Sequence, residues 1–200
     1  RYGDAAKAFG QRAVGSLAGP VSKGSGEGNN TGGTLGSLIA DAQLAATKGA
    51  SADIAFMNPF GIRAALVPAA DGSLTFADIY AAQPFANSLI TQTMTGAELK
   101  AVLEQGFDTN GPEQVLSPSA GFSFRFDRAR AVGERIVAMV LNGQPVRPDG
   151  TYRVTTNSFL AGGGDSFTGF ARQREAVVGI SDLEALELWL KATPPRAVPE

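Results

Sequence analysis

The chain has 200 residues, 44% of them hydrophobic, and a formal net charge of −2. That is enough apolar material for a buried core, and so even a charge balance leaves no basic stripe of the kind nucleic acid attracts. There is no histidine and no cysteine, which excludes Ser-His-Asp and Cys-His catalysis, thiolate metal sites and disulfides. No apolar run approaches the ~20 residues needed to span a bilayer, and no EF-hand loop or acidic motif suggests a carboxylate metal site. The chain opens at Arg1 with neither Met nor a signal-peptide pattern, so the expectation is a processed or excised piece of a longer polypeptide.

In chain order, Asp4 to Ala13 reads as an alanine-rich helix, followed by an extended segment from Val14 to Val21. Ser22 to Gly33 is polar and glycine-laden, a loop. Leu35, Leu38, Ile39 and Ala42 then mark one face of a helix from Thr34 to near Gly49. Asp53 to Met57 is a short buried strand, Ser73 to Phe76 another, and Ala77 to Gln83 a short helix stopped by Pro84. Ser88 to Met94 is strand-like, and Thr95-Gly96-Ala97-Glu98 is a capping box opening a helix to about Phe107. Phe122 to Phe126 alternates aromatic and polar residues, as a half-buried strand does. The strands Arg135 to Leu141 and Tyr152 to Asn157 flank the turn signal Asn142-Gly143, and a last helix opens on Ser181-x-x-Glu184. Short strands and helices in this order predict one α+β domain with a mixed sheet packed by helices. The expected division is a helix and entry strand over residues 1–21, the domain over 22–193 and a loose tail over 194–200.

Four segments carry site chemistry. Asn157-Ser158-Phe159-Leu160-Ala161-Gly162-Gly163-Gly164-Asp165-Ser166-Phe167 leaves a strand through three glycines, which permit positive φ and close approach of a ligand. An acid follows directly, and an aromatic stands on either side at Phe159 and Phe167. That set suits a flat ring bearing hydroxyls, such as a nucleoside; it equally describes a tight turn with two core phenylalanines. Asn58-Pro59-Phe60-Gly61-Ile62-Arg63 offers an amide, and a guanidinium suited to phosphate or carboxylate. Gln83-Pro84-Phe85-Ala86-Asn87 puts an aromatic in a loop after a helix stop. Thr34 to Asp41 opens a helix whose Gly36 permits close packing. Gly24-x-Gly26-x-Gly28 lacks a leading strand and a third phosphate glycine, and is a poor phosphate cradle.

In this order and spacing the four segments, running from about Gly33 to Phe170, resemble the C-terminal domain of the 5′-nucleotidase family. Met94-Thr95-Gly96-Ala97-Glu98-Leu99-Lys100 and Leu141-Asn142-Gly143 resemble it too. The resemblance implies that the chain binds the nucleoside of a substrate. Phe85 and Phe159 would sandwich the base, Asp165 would hold the ribose hydroxyls, and Asn58 and Arg63 would complete the polar contacts. It implies no cofactor in this chain, with hydrolysis at two divalent metal ions on a separate N-terminal domain of the same polypeptide, against which this one swings. This chain alone is then inactive, the parent a periplasmic or secreted phosphoric ester hydrolase. A stand-alone nucleoside-binding module and a structural domain with a decayed pocket are the alternatives. Four positions depart from the family wording: Phe60, Ala86 and Ser166 stand for glycines and Ser37 for an asparagine. The stretch Glu27 to Gly33 also lacks the arginines that family members often place there.

Overall fold

The computed structural model describes residues 7–24, 30–108 and 111–192. Its elements begin with β1 (Ala13–Ser16), α1 (Gly33–Ala46), β2 (Ile54–Met57), β3 (Ser73–Thr75), α2 (Phe76–Ala82) and β4 (Ser88–Thr95). There follow α3 (Gly96–Gln105), β5 (Ser117–Pro118), β6 (Phe122–Phe126), β7 (Ile136–Leu141) and β8 (Gln144–Pro145). The chain then runs through β9 (Thr151–Asn157), α4 (Ser158–Ala161), β10 (Val177–Ser181) and α5 (Asp182–Ala192). The mixed sheet has five strands in the order β10-β4-β9-β2-β5, with β2 and β9 parallel and the other pairs antiparallel. Two small antiparallel sheets, β1-β3 and β6-β7-β8, accompany it.

Strand β2 is buried at all four residues because both faces of the central sheet are covered. Ile54 and Phe56 join one core, with α3, Phe167 and Phe170; Met57 joins the other, with α1, α2, α5 and β1. This is the period-two alternation of a strand. Gly36 lets α1 press against β5, since a β-carbon there would stand 2.2 Å from Ser117 Oγ. Helix ends follow local chemistry. The Thr95–Glu98 capping box forms with both reciprocal bonds, a second box at Thr75–Asp78 caps α2, and Ser181 Oγ accepts from the Glu184 N–H at 3.1 Å.

Several expectations are corrected. The N-terminal helix covers residues 7–10 of the described chain and does not reach Ala13, which pairs with Thr75 in the β1-β3 ladder. Residues 4–6, residues 25–29 of the glycine loop (Gly26 and Gly28 among them) and the tail lie outside the described residues. Asn142-Gly143, both at positive φ (49° and 78°), forms a tight turn joining β7 to the short β8. The strand expected across that turn, β9, instead runs between β4 and β2. Its residues Val154 to Asn157 are all buried, and only the covered central sheet buries a strand from both sides. β10 escaped the sequence reading because Val177, Val178 and Gly179 are exposed on a sheet edge and show no alternation.

Candidate functional site

Strand register brings three loops together. β2 and β9 run parallel with Ala55 opposite Thr155, so the loops leaving them, at Asn58 and at Ser158, emerge side by side. β4 runs antiparallel to β9 with Leu89 opposite Asn157, which delivers the Phe85–Asn87 loop to the same end of the sheet. Between these loops lies a cavity of about 180 Å³. That volume holds on the order of ten water molecules and is too large to be a packing defect. Its lining includes Asn58, Arg63, Phe85, Phe159 and Asp165, all five of the residues singled out from sequence, together with Phe60.

The polar side is a relay of amides. Asn157 caps the short α4, accepting the Leu160 N–H at 2.9 Å, and its Nδ2 donates to Asn58 Oδ1 at 3.0 Å. Asn58 Nδ2 in turn donates to Asp165 Oδ2 at 2.7 Å. Each amide is thereby fixed in orientation, and the Asp165 carboxylate keeps further lone pairs for a ligand. Asp165 is presented by a strained turn. Gly163, Asp165 and Ser166 all lie in the left-handed region, at φ 87°, 52° and 68°, a conformation that a short polar side chain such as Asp tolerates better than most. Gln114 Nε2 clamps this turn by donating to the Asp165 carbonyl at 2.8 Å.

The two rings are half exposed, Phe85 at 50% and Phe159 at 48%, which is unusual for side chains that fold gains most by burying. Arg63 lies 5.2 Å from the Phe85 ring centroid, a cation–π contact that holds both at the rim. Phe167, the other aromatic of the glycine turn, is fully buried against Phe170 in the core and takes no part in the cavity. The Thr34–Asp41 segment does not line it either; Asp41 accepts the Ala120 N–H. Phe60 forms a wall shared with an adjoining hollow that Gln105, Gln114 and Ser166 also border.

Three polar lining residues were given no role in the sequence reading: Asn87 and Asn157, which stand in its site segments, and Asp182. Asn157 and Asn87 sit at element ends, where asparagine signals a cap or turn as readily as a contact. Asp182, at the start of α5, reads as an ordinary acidic first-turn residue. Its carboxyl is pushed up to about 6 by burial, partly opposed by hydrogen bonds from the Leu183 N–H and from Asn87.

The architecture is that of solved nucleotidases. A 5′-nucleotidase precursor from Thermus thermophilus superposes with a TM-score of 0.82 at 30% identity, covering 99% of this chain and 39% of that one. The NAD nucleotidase of Haemophilus influenzae gives 0.81 at 26% identity, covering 99% and 38%. Residues 13–172 match the model of the 5′-nucleotidase, C-terminal domain, and the chain belongs to that family. Among curated proteins it is 36% identical over 144 residues to the trifunctional nucleotide phosphoesterase protein YfkN of Bacillus subtilis (strain 168). The chain spans 68% of its own length in that match and only 10% of YfkN.

Proposed function

We propose that this chain is the substrate-recognition domain of a 5′-nucleotidase-type phosphoesterase and binds the nucleoside part of a nucleotide or nucleotide derivative. The observation that carries the reading is the convergence of Asn58, Arg63, Phe85, Phe159 and Asp165, from three separated loops, on one cavity. The base lies between the Phe85 and Phe159 rings, Asp165 accepts from the ribose hydroxyls, Asn58 holds Asp165 in place, and Arg63 faces the phosphate. Base–aromatic stacking contributes about 1–3 kcal/mol per ring, from which ordering and association costs are subtracted. The isolated chain therefore binds a nucleoside weakly, on the order of 0.1–10 mM.

Ester hydrolysis would belong to a partner N-terminal domain of the same polypeptide, where two divalent metal ions would supply Lewis-acid chemistry. This chain lacks histidine, and among the described residues no group of three or more Asp, Glu, His or Cys is placed to hold a metal. Its own contribution is to bind and orient. A periplasmic or secreted location accords with the family; among the described residues no helix is long and apolar enough to cross a membrane.

Calorimetric titration with adenosine, with ribose as the ring-less control, tests the reading. Heat with adenosine and none with ribose is the expected result, and AMP then reports on Arg63. Absence of adenosine binding at about 10 mM, the weak end of the range above, overturns it.

A further inference from the structure

Asp182 is 2% exposed yet lines the cavity, and no Lys or Arg among the described residues forms an ion pair with it. Its Oδ1 accepts the Leu183 N–H at 2.8 Å, while Oδ2 has only Asn87 Nδ2, at 3.5 Å, the limit of a hydrogen bond. A carboxylate so buried and without a cation is costly unless it meets a donor. The charged groups on surrounding elements are engaged elsewhere or exposed. Glu187 on α5 pairs with Arg12 and Lys191, Asp78 on α2 closes its capping box, Asp41 on α1 binds Ala120, and Glu184 is exposed. Across the cavity Arg63 stacks on Phe85 and Asp165 is held by Asn58.

The place of this carboxyl in the slot is set by Asn87. Asn87 follows Phe85 by two residues, its carbonyl accepts the Asp182 N–H at 2.8 Å, and its Oδ1 accepts from Ser158 Oγ at 3.4 Å, next to Phe159. The Asn87–Asp182 pair therefore ties the two ring-bearing segments together on the lining of the same cavity.

Resting on the nucleoside reading above, we propose that Asp182 is the residue that selects the base, its Oδ2 accepting a hydrogen bond from an exocyclic amino group on the base edge. The domain then prefers amino-bearing bases to ones that lack that donor, and the preference weakens in acid as the carboxyl gains a proton and ceases to accept there.

The test is titration of the chain with adenosine and with purine riboside, the same ring without the amino group. Wild type should favour adenosine about tenfold at about pH 7.5, and less at about pH 5. Asp182→Leu should bind the two nucleosides equally, while Asp182→Asn should retain part of the preference and lose its pH dependence. The wild-type comparison needs no variant to fold. Equal binding of the two nucleosides by wild type, or an unchanged preference in a folded Asp182→Leu, overturns the assignment and leaves the nucleoside reading standing. Failure of wild type to bind either nucleoside overturns both.

Discussion

The ring of Phe159 lies across Gly164, so close that a β-carbon at position 164 would stand 2.5 Å from it. The glycine that precedes Asp165 thus does more than relax the backbone: it leaves room for the ring to lie at the cavity wall. Gly164→Ala must push the ring away, cheaply for the fold because Phe159 is half exposed. Loss of one stacking face, about 1–3 kcal/mol, should weaken nucleoside binding by roughly five- to 150-fold with little change in Tm. Calorimetry and a thermal melt on the same variant check this; unaltered affinity would count against the sandwich.

The two aromatics of the glycine turn should separate cleanly by mutation. Phe159→Ala is expected to abolish detectable nucleoside binding in a well-folded protein. Phe167→Ala empties a fully buried site and should cost about 3–5 kcal/mol of stability. Chemical denaturation distinguishes them, and a comparable stability loss in both would mean that Phe159 is a structural residue.

Asn58 joins Asn157 to Asp165 through two hydrogen bonds and is 1% exposed. Asn58→Ala leaves buried polar partners unmet, at an expected cost of about 1–3 kcal/mol. Asp165→Ala removes the proposed acceptor of the ribose hydroxyls, so its larger effect should be on affinity. Urea unfolding and adenosine titration of both variants would show whether stability and binding divide this way.

Two carboxyls should give the stability profile opposite slopes with pH. Asp182 has a folded-state value of about 6, raised by burial from 3.8. The folded chain holds the proton more tightly, so this contribution is fullest below about pH 4 and is lost as pH rises through 6. Asp182→Asn should therefore be more stable than wild type at about pH 7, by about 3 kcal/mol at most, and lose that advantage near pH 4. Melts across this range provide the check.

Glu187 behaves in reverse. The Arg12 guanidinium, first among its partners, and then Lys191 hold its carboxyl at about 2, below the ordinary 4.5, against an opposing effect of burial. Its contribution is present above about pH 4.5 and fades as pH falls towards 2. Glu187→Gln should flatten that acid limb, by a modest amount because the pair is partly open to solvent and screened. An acid limb that is just as steep in the variant would assign the loss to other carboxylates.

Much of the fold was legible along the chain: the Thr95–Glu98 box, the alternation of Phe122–Phe126, the buried run of β2 and the apolar face of α1. Such signals arise between residues one to four apart, and a single chain displays them directly. The ordered motifs likewise resemble those of the family, and that resemblance, carried over position by position, named Asn58, Arg63, Phe85, Phe159 and Asp165. Composition and spacing left Phe159 and Phe167 alike, since both flank the same glycines; the resemblance to the family picked Phe159, and the tertiary structure puts Phe159 on the cavity and Phe167 in the core. Tertiary structure alone decided that β9 leaves β7 for the central sheet, and that Asp182, well over a hundred residues from Asn58 in the chain, closes the same site. Strand pairing and burial join segments far apart in sequence, and no local pattern encodes which distant surface will cover a residue.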